Sequence, residues 1–163
     1  MGNVVSNTEI ISRILKKEWF DDGKLMHVAF ALRKGESYIS VNRISVDSYE
    51  KDVLVFIRNH PAYAFGEDLK EYCSANLNVK DVRAIHVTLD GASLDIDVDV
   101  EPRAHSVKSH AGIFTRYGNT NLKPGGHVYI SKNNENIAAD AILLKMRLQL
   151  LHIAQCQQKK IVN

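Results

Sequence analysis

The stretch Val82 to Val100, VRAIHVTLDGASLDIDVDV, decides the fold class, because two alternating runs flank Asp90-Gly91. That dipeptide suits a two-residue type I′ hairpin turn, in which both central residues take positive φ. Folding about it sets Leu89 opposite Ala92, Val87 opposite Leu94 and Ile85 opposite Ile96, so three apolar pairs share one face. The other face takes His86 opposite Asp95, Thr88 opposite Ser93, and Asp97 and Asp99 beyond them. A slip of one residue carries the carboxylates into the core, so the register is strongly determined.

Outward from this hairpin the pattern changes. Towards the N-terminus, Asn7 or Thr8 is placed to cap a helix over Ile10, Ile11, Ile14, Leu15 and Trp19 that ends at Asp21-Asp22-Gly23. Period two returns in Val28, Phe30 and Leu32 and, after the turn Lys34-Gly35-Glu36-Ser37, in Ile39 and Val41, which predicts a second hairpin. Asp47 or Ser48 caps a helix through Val53, Phe56 and Ile57 that stops before Pro61, since the residue ahead of a proline avoids the helical region. A shorter helix is read from about Glu67 to Ala75, with acids in its first turn.

Beyond Pro102, long loops lead to Ala111-Gly112-Ile113-Phe114 and, past Gly118, Asn119, Pro124 and Gly125, to a strand over His127 to Ser131. The closing helix is read from about Asn136 to Gln158. Its apolar arc, which includes Ile142, Leu143, Leu144, Met146, Leu148 and Leu150, is wider than that of a surface helix. It either lies under the sheet or seals a partner, a second copy of the chain included. The order of elements predicts one α+β domain over residues 1–163, a mostly antiparallel sheet built from hairpins and packed against several helices, the long C-terminal one among them.

Bulk composition narrows the class without choosing a function. A chain of 163 residues suits one sizeable core. Twenty-one basic and 19 acidic side chains, net +2, leave no global pull towards nucleic acid or anionic membrane. No apolar run reaches the length of a membrane span, and no leader of basic and apolar regions opens the chain. Cys73 and Cys156 stand far apart on segments read as helices, which points to reduced thiols and a cytoplasmic setting. Met1-Gly2-Asn3-Val4-Val5-Ser6 fits the short N-myristoylation template, against the plainer reading of a frayed terminus.

Four groups of residues carry chemistry. Asp95, Asp97, Asp99 and Glu101 form a ladder on one strand face, either a solvated outer face or carboxylates for a hard cation. His86 and Asp95 make a cross-strand imidazole and carboxylate pair, half of a general-base arrangement, without a nucleophile beside it. His105 and His110 lack the spacing and the cysteines of a zinc site, so neither metal nor cofactor is expected. The richest stretch is Arg103 to His127, which carries Arg103, Lys108, Arg116 and Lys123 with no acid, together with His105, His110, His127 and several glycines. Cations, imidazoles and glycine-exposed N–H groups in long loops suit a phosphate or carboxylate ligand.

Ser40-Val41-Asn42-Arg43 and Ser109-His110-Ala111-Gly112-Ile113 resemble the S-V-x-R and H-A-x-I elements of a diffuse group of small, uncharacterised bacterial proteins, over roughly Lys24 to Phe114. The resemblance implies a prokaryotic cytosolic protein in which Arg43 and His110 converge on a site, and brings no activity with it. His86-Val87-Thr88 and His127-Val128-Tyr129 resemble the paired H-x-[ST] strands of two-histidine phosphoesterases, but Tyr129 stands where the second hydroxyl is required.

Taken together, the residues point to a small accessory or binding protein that recognises a partner or a phosphate-bearing ligand through Arg103, His105, Lys108, His110, Arg116 and His127. An enzyme acting on a phosphorylated or nucleic-acid substrate, with His110 as acid or base, Arg103 or Arg116 stabilising developing negative charge and Arg43 positioning, is the rival reading, with His86 and Asp95 as further catalytic candidates. A structural or immunity-type protein-binding module is the third.

Overall fold

A computed structural model describes residues 4–89, 92–100, 107–130 and 134–161. The strands are β1 (Ile10–Leu15), β2 (Phe20–Asp21), β3 (Lys24–Leu25), β4 (Ile39–Arg43), β5 (Glu71–Asn78), β6 (His86–Leu89), β7 (Ala92–Val100), β8 (His110–Tyr117), β9 (Thr120–Asn121), β10 (His127–Ile130), β11 (Glu135–Ala138) and β12 (Gln155–Lys160). Among the described residues three α-helices interleave with them: α1 (Tyr49–Asn59), α2 (Val79–Arg83) and α3 (Ala139–Ile153). The main sheet is antiparallel in the order β12-β5-β1-β4-β8-β7-β6, with β9 added to β8. The domain is α+β, as its sequence predicts.

The β6–β7 hairpin has the predicted register: His86 pairs Asp95, Val87 pairs Leu94, Thr88 pairs Ser93 and Leu89 pairs Ala92. Val87, Leu94, Ile96 and Val98 are buried, each contributing about 1.5–3 kcal/mol relative to exposure. Ile85 is also buried but precedes the strand, donating its N–H to the Val82 carbonyl. The Asp90-Gly91 turn lies outside the described residues. Helix α1 forms where predicted. Tyr49, Val53 and Ile57 make its buried stripe, Glu50 and Asp52 sit in its first turn, and it ends just ahead of Pro61.

Elsewhere the structure corrects the sequence reading. Ile10–Leu15 is a strand, not a helix, and Ile11, Ser12, Ile14 and Leu15 are all buried. A central strand covered on both faces loses its alternation, and a short apolar run then fits either period. Glu71–Asn78 is likewise a strand, between β1 and β12, with four consecutive buried residues from Tyr72 to Ala75. Val28, Phe30 and Leu32 do not form a strand, because His27–Phe30 is a 3-10 turn that sinks Phe30 and leaves Val28 39% exposed. Ile39 and Val41 pair instead with β8. The last helix stops at Ile153, and Gln155–Lys160 turns back as an edge strand on β5. Cys73 and Cys156 therefore lie on neighbouring strands, both as free thiols.

The register divides the sheet into two faces: Ser12, Asn42 and His110 share one, while Val41, Ala111, Val98 and Ile113 lie on the other. The second face is the main core, where α2 meets β7 and β5 and α3 meets α2, β6 and the His27–Phe30 turn. Helix α3 is thus a core helix through Ala139, Ile142, Leu143, Met146 and Leu150, with Leu144 and Leu148 left exposed. Helix α1 covers the first face, where Asp52 accepts the Ser109 backbone N–H. Among the described residues no helix is long and apolar enough to cross a membrane.

Candidate functional site: an arginine cleft beside His110

Strands β1 and β4 pair at Ile11 with Arg43 and at Ser12 with Asn42, and Arg13 stands just past the last of these pairs. Its Nε donates to the Ala29 carbonyl at 3.2 Å and its Nη1 to the Ser40 carbonyl at 2.8 Å. The guanidinium also lies over the Trp19 ring, 5.0 Å from its centroid. Among the described residues no carboxylate comes within 4.0 Å of it. Burial pushes its pKa down to about 10, so the cation persists at neutral pH in surroundings that disfavour it.

Arg13 lines a cleft of about 150 Å³ together with Arg33, Glu36, Ser40, Asn42, Phe56, Tyr63 and His110. Arg33 and Glu36 hold the exposed rim, their charged groups 4.0 Å apart, and the Arg33 backbone N–H donates to Glu36 Oε1 at 2.8 Å. Phe56 and Tyr63 meet edge to face with centroids 4.8 Å apart and form the aromatic wall. Ser109, which does not line the cleft, is fully buried beside Asn42. Its hydroxyl accepts from Asn42 Nδ2 at 2.8 Å and donates to Asp52. Burial pushes the Asp52 carboxyl up, but hydrogen bonds from Ser109 and Ser48 and the field of His110 outweigh it and hold it below its ordinary value. Buried and outside the cleft lining, Ser109 presents no nucleophile there.

Of the candidate residues that the structure describes, only His110 lines this cleft. Arg43, adjacent to it in the pairing, points to the opposite face and grips Glu9 through Nε and Nη2 at 2.8 and 2.9 Å. Arg116 is not available to an anion: it donates to Asn121 at 2.8 Å, pairs Asp99 at 2.7 Å and Asp97 at 3.7 Å, and covers the Phe114 ring. It also stands six residues from His110 on the same strand, about 20 Å away. Arg83 also pairs Asp97 at 2.8 Å, so Asp97 and Asp99 of the acidic ladder are both engaged.

The remaining candidates lie apart. His127 is exposed in the separate β10–β11 ribbon, Lys108 is exposed in the turn before β8, and His86 and Asp95 are exposed near the β6 edge. Arg103, His105 and Glu101 lie outside the described residues, as do Met1, Gly2 and Asn3. Among the described residues no group of His, Cys, Asp and Glu assembles that could hold a metal ion.

Sequence reasoning missed Arg13, Arg33 and Tyr63. The signal at Arg13 was a charged residue inside the apolar run IISRIL, which fits a helix surface until that run is known to be a central strand. Comparison of the chain with protein families, with curated proteins and with solved structures finds no match.

Proposed function

We propose that this α+β domain binds a phosphate-bearing ligand in the Arg13 cleft, as an accessory binding protein and not as a stand-alone enzyme. The observation that carries the reading is Arg13: a guanidinium held by two carbonyls and an aromatic face at the wall of a cleft, with no carboxylate within 4.0 Å among the described residues. The donors it has left, with Arg33 and His110 nearby, match an acceptor-rich anion. A volume of about 150 Å³ suits a phosphoryl group, being well below the roughly 300–1,000 Å³ of drug-sized sites, so the rest of the ligand lies outside the cleft. The burial of Ser109, away from the cleft lining, weighs against its acting as a nucleophile there.

Titration with inorganic phosphate and with phosphoserine, followed by two-dimensional NMR and by melting temperature, tests this. Saturable shifts are expected at His110, Ser40 and Asn42. Arg13→Met is expected to weaken binding at least about tenfold, since a hydrogen bond to a charged group carries roughly 1.5–3 kcal/mol. Arg116→Met leaves it unchanged. Glu36→Gln strengthens it by about two- to fivefold, as removal of an exposed competing charge does. Equal weakening in Arg13→Met and Arg116→Met, or no saturation in the parent protein, overturns the proposal.

A further inference from the structure

Strand β12 is the outer strand of the main sheet and pairs on one side only, with β5. Its register sets Cys156 opposite Ala75 and Gln158 opposite Cys73. Directly opposed residues share a face of a sheet, and so do residues two apart on one strand, so the two thiols are diagonal neighbours on one face. Beyond Lys160 the Ile161 N–H donates to the Lys70 carbonyl at 2.7 Å, which makes those two residues a hydrogen-bonded pair. Pair types alternate along an antiparallel ladder. Cys73 with Gln158 and Ala75 with Cys156 are therefore non-hydrogen-bonded pairs, the kind whose side chains come closer.

Strand twist brings one diagonal of such a ladder nearer than the other. The nearer one is marked two residues along: Glu71 is opposite Lys160, yet Gln158 Nε2 reaches across and donates to Glu71 Oε2 at 2.9 Å. Cys156 stands to Cys73 as Gln158 stands to Glu71. Burial, with Cys156 and Glu71 nearby, pushes the Cys73 thiol up, and burial raises the Cys156 thiol as well although that residue is exposed overall. Both groups are thus protonated at neutral pH, and exchange with an external disulfide is slow there.

We propose that Cys73 and Cys156 form a modification site, which a small-molecule disulfide of the glutathione class oxidises to a reversible bond tying β12 to β5. The Cys156 thiolate, at the surface, attacks one sulfur of glutathione disulfide and releases one glutathione; the Cys73 thiolate then attacks Cys156 Sγ and releases the second. The two thiol protons pass through solvent to the two released glutathiones, and the electron pair that the protein loses reduces the reagent. Diagonal neighbours have Cα atoms about 7–8 Å apart and a disulfide spans up to about 6.8 Å, so closure draws the two strands together by about 1 Å. That movement is open to β12, because no strand among the described residues pairs with its outer edge. A bond closed in this way at an exposed edge is readily reduced again.

The test is incubation of the folded full chain with glutathione disulfide at mildly alkaline pH, followed by intact mass, non-reducing peptide mapping and amide exchange. The expected product is a monomer lighter by two hydrogens, in which the tryptic fragments holding Cys73 and Cys156 stay joined until dithiothreitol is added. The amides of Gln155, Gln157 and Lys159, which the register turns towards β5, are expected to exchange about tenfold more slowly in it. Cys73→Ala is expected to stop at one glutathione held on Cys156. Cys156→Ala, which leaves only the buried thiol, is expected to stay unmodified. Three results overturn the proposal: a parent chain that keeps both thiols, one that retains glutathione on Cys156, or a disulfide-linked dimer in place of the internal bond.

Discussion

Replacing Arg43 by alanine is expected to destabilise the domain by about 3–5 kcal/mol, because it leaves a buried carboxylate without its partner. Arg43 and Glu9 are each about 10% exposed at the side chain and meet through two contacts of 2.8 and 2.9 Å. Ser45 Oγ and the Ser6 N–H complete the acceptor shell of Glu9 at 2.9 and 2.7 Å. Glu9→Ala is expected to have an effect of similar size by stranding the guanidinium. The double variant Glu9→Leu/Arg43→Met is expected to recover most of the loss, since apolar replacement removes both desolvation penalties together.

The pair also sets a pH dependence. The Arg43 guanidinium holds the Glu9 carboxyl at about 2, below the 4.5 usual for the group. A folded-state pKa below the unfolded one stabilises at pH above the unfolded value, and that stabilisation is lost as pH falls through the folded value. Urea midpoints should therefore fall between about pH 5 and pH 2, and this acid limb should flatten in the double variant. A single-variant loss below about 1 kcal/mol, typical of exposed pairs, contradicts the buried-pair assignment.

The second large effect separates two readings of one segment. As a strand, Val28, Phe30 and Leu32 are equivalent members of one face. As a 3-10 turn, His27–Phe30 buries Phe30 completely beside α3 while Val28 remains 39% exposed. Phe30→Ala is expected to cost about 3–5 kcal/mol, the transfer term plus the cavity left in a packed core. Val28→Ala is expected to cost less than about 1 kcal/mol, as partly exposed positions do. Denaturant midpoints with unchanged slopes measure both. Comparable losses at the two positions restore the strand reading.

These segments show where sequence patterns carried information. The β6–β7 hairpin was legible because its contacts are local and one of its faces meets solvent, so alternation survives in the letters. Helix α1 was legible for a parallel reason: one stripe is buried and Pro61 stops it. Strands β1 and β5 were not. With α1 over one face of the sheet and the main core on the other, IISRIL and EYCSANLN bury residues on both sides and show no period of two. The turn at Ala154 that ends α3 and starts β12 carries no glycine or proline; its extended backbone, φ −71° and ψ 138°, follows from the pairing of β12 with β5.

The candidate site divides in the same way. The letters supplied His110 as a polar residue of interest, because its neighbourhood is basic and rich in loops. They also favoured Arg43 and Arg116, whose guanidinium groups the fold commits to Glu9 and to Asp97, Asp99 and Asn121. Arg13 gained its place only when β1 became a central strand.

The sequence by itself determined the α+β class, the register of the central hairpin and the position of α1, all of which rest on contacts between near neighbours or on a single buried face. Tertiary structure alone decided which guanidinium groups meet carboxylates and which do not. Charge pairing depends on distances across the sheet, between residues such as 9 and 43 or 99 and 116, and no local pattern encodes those distances.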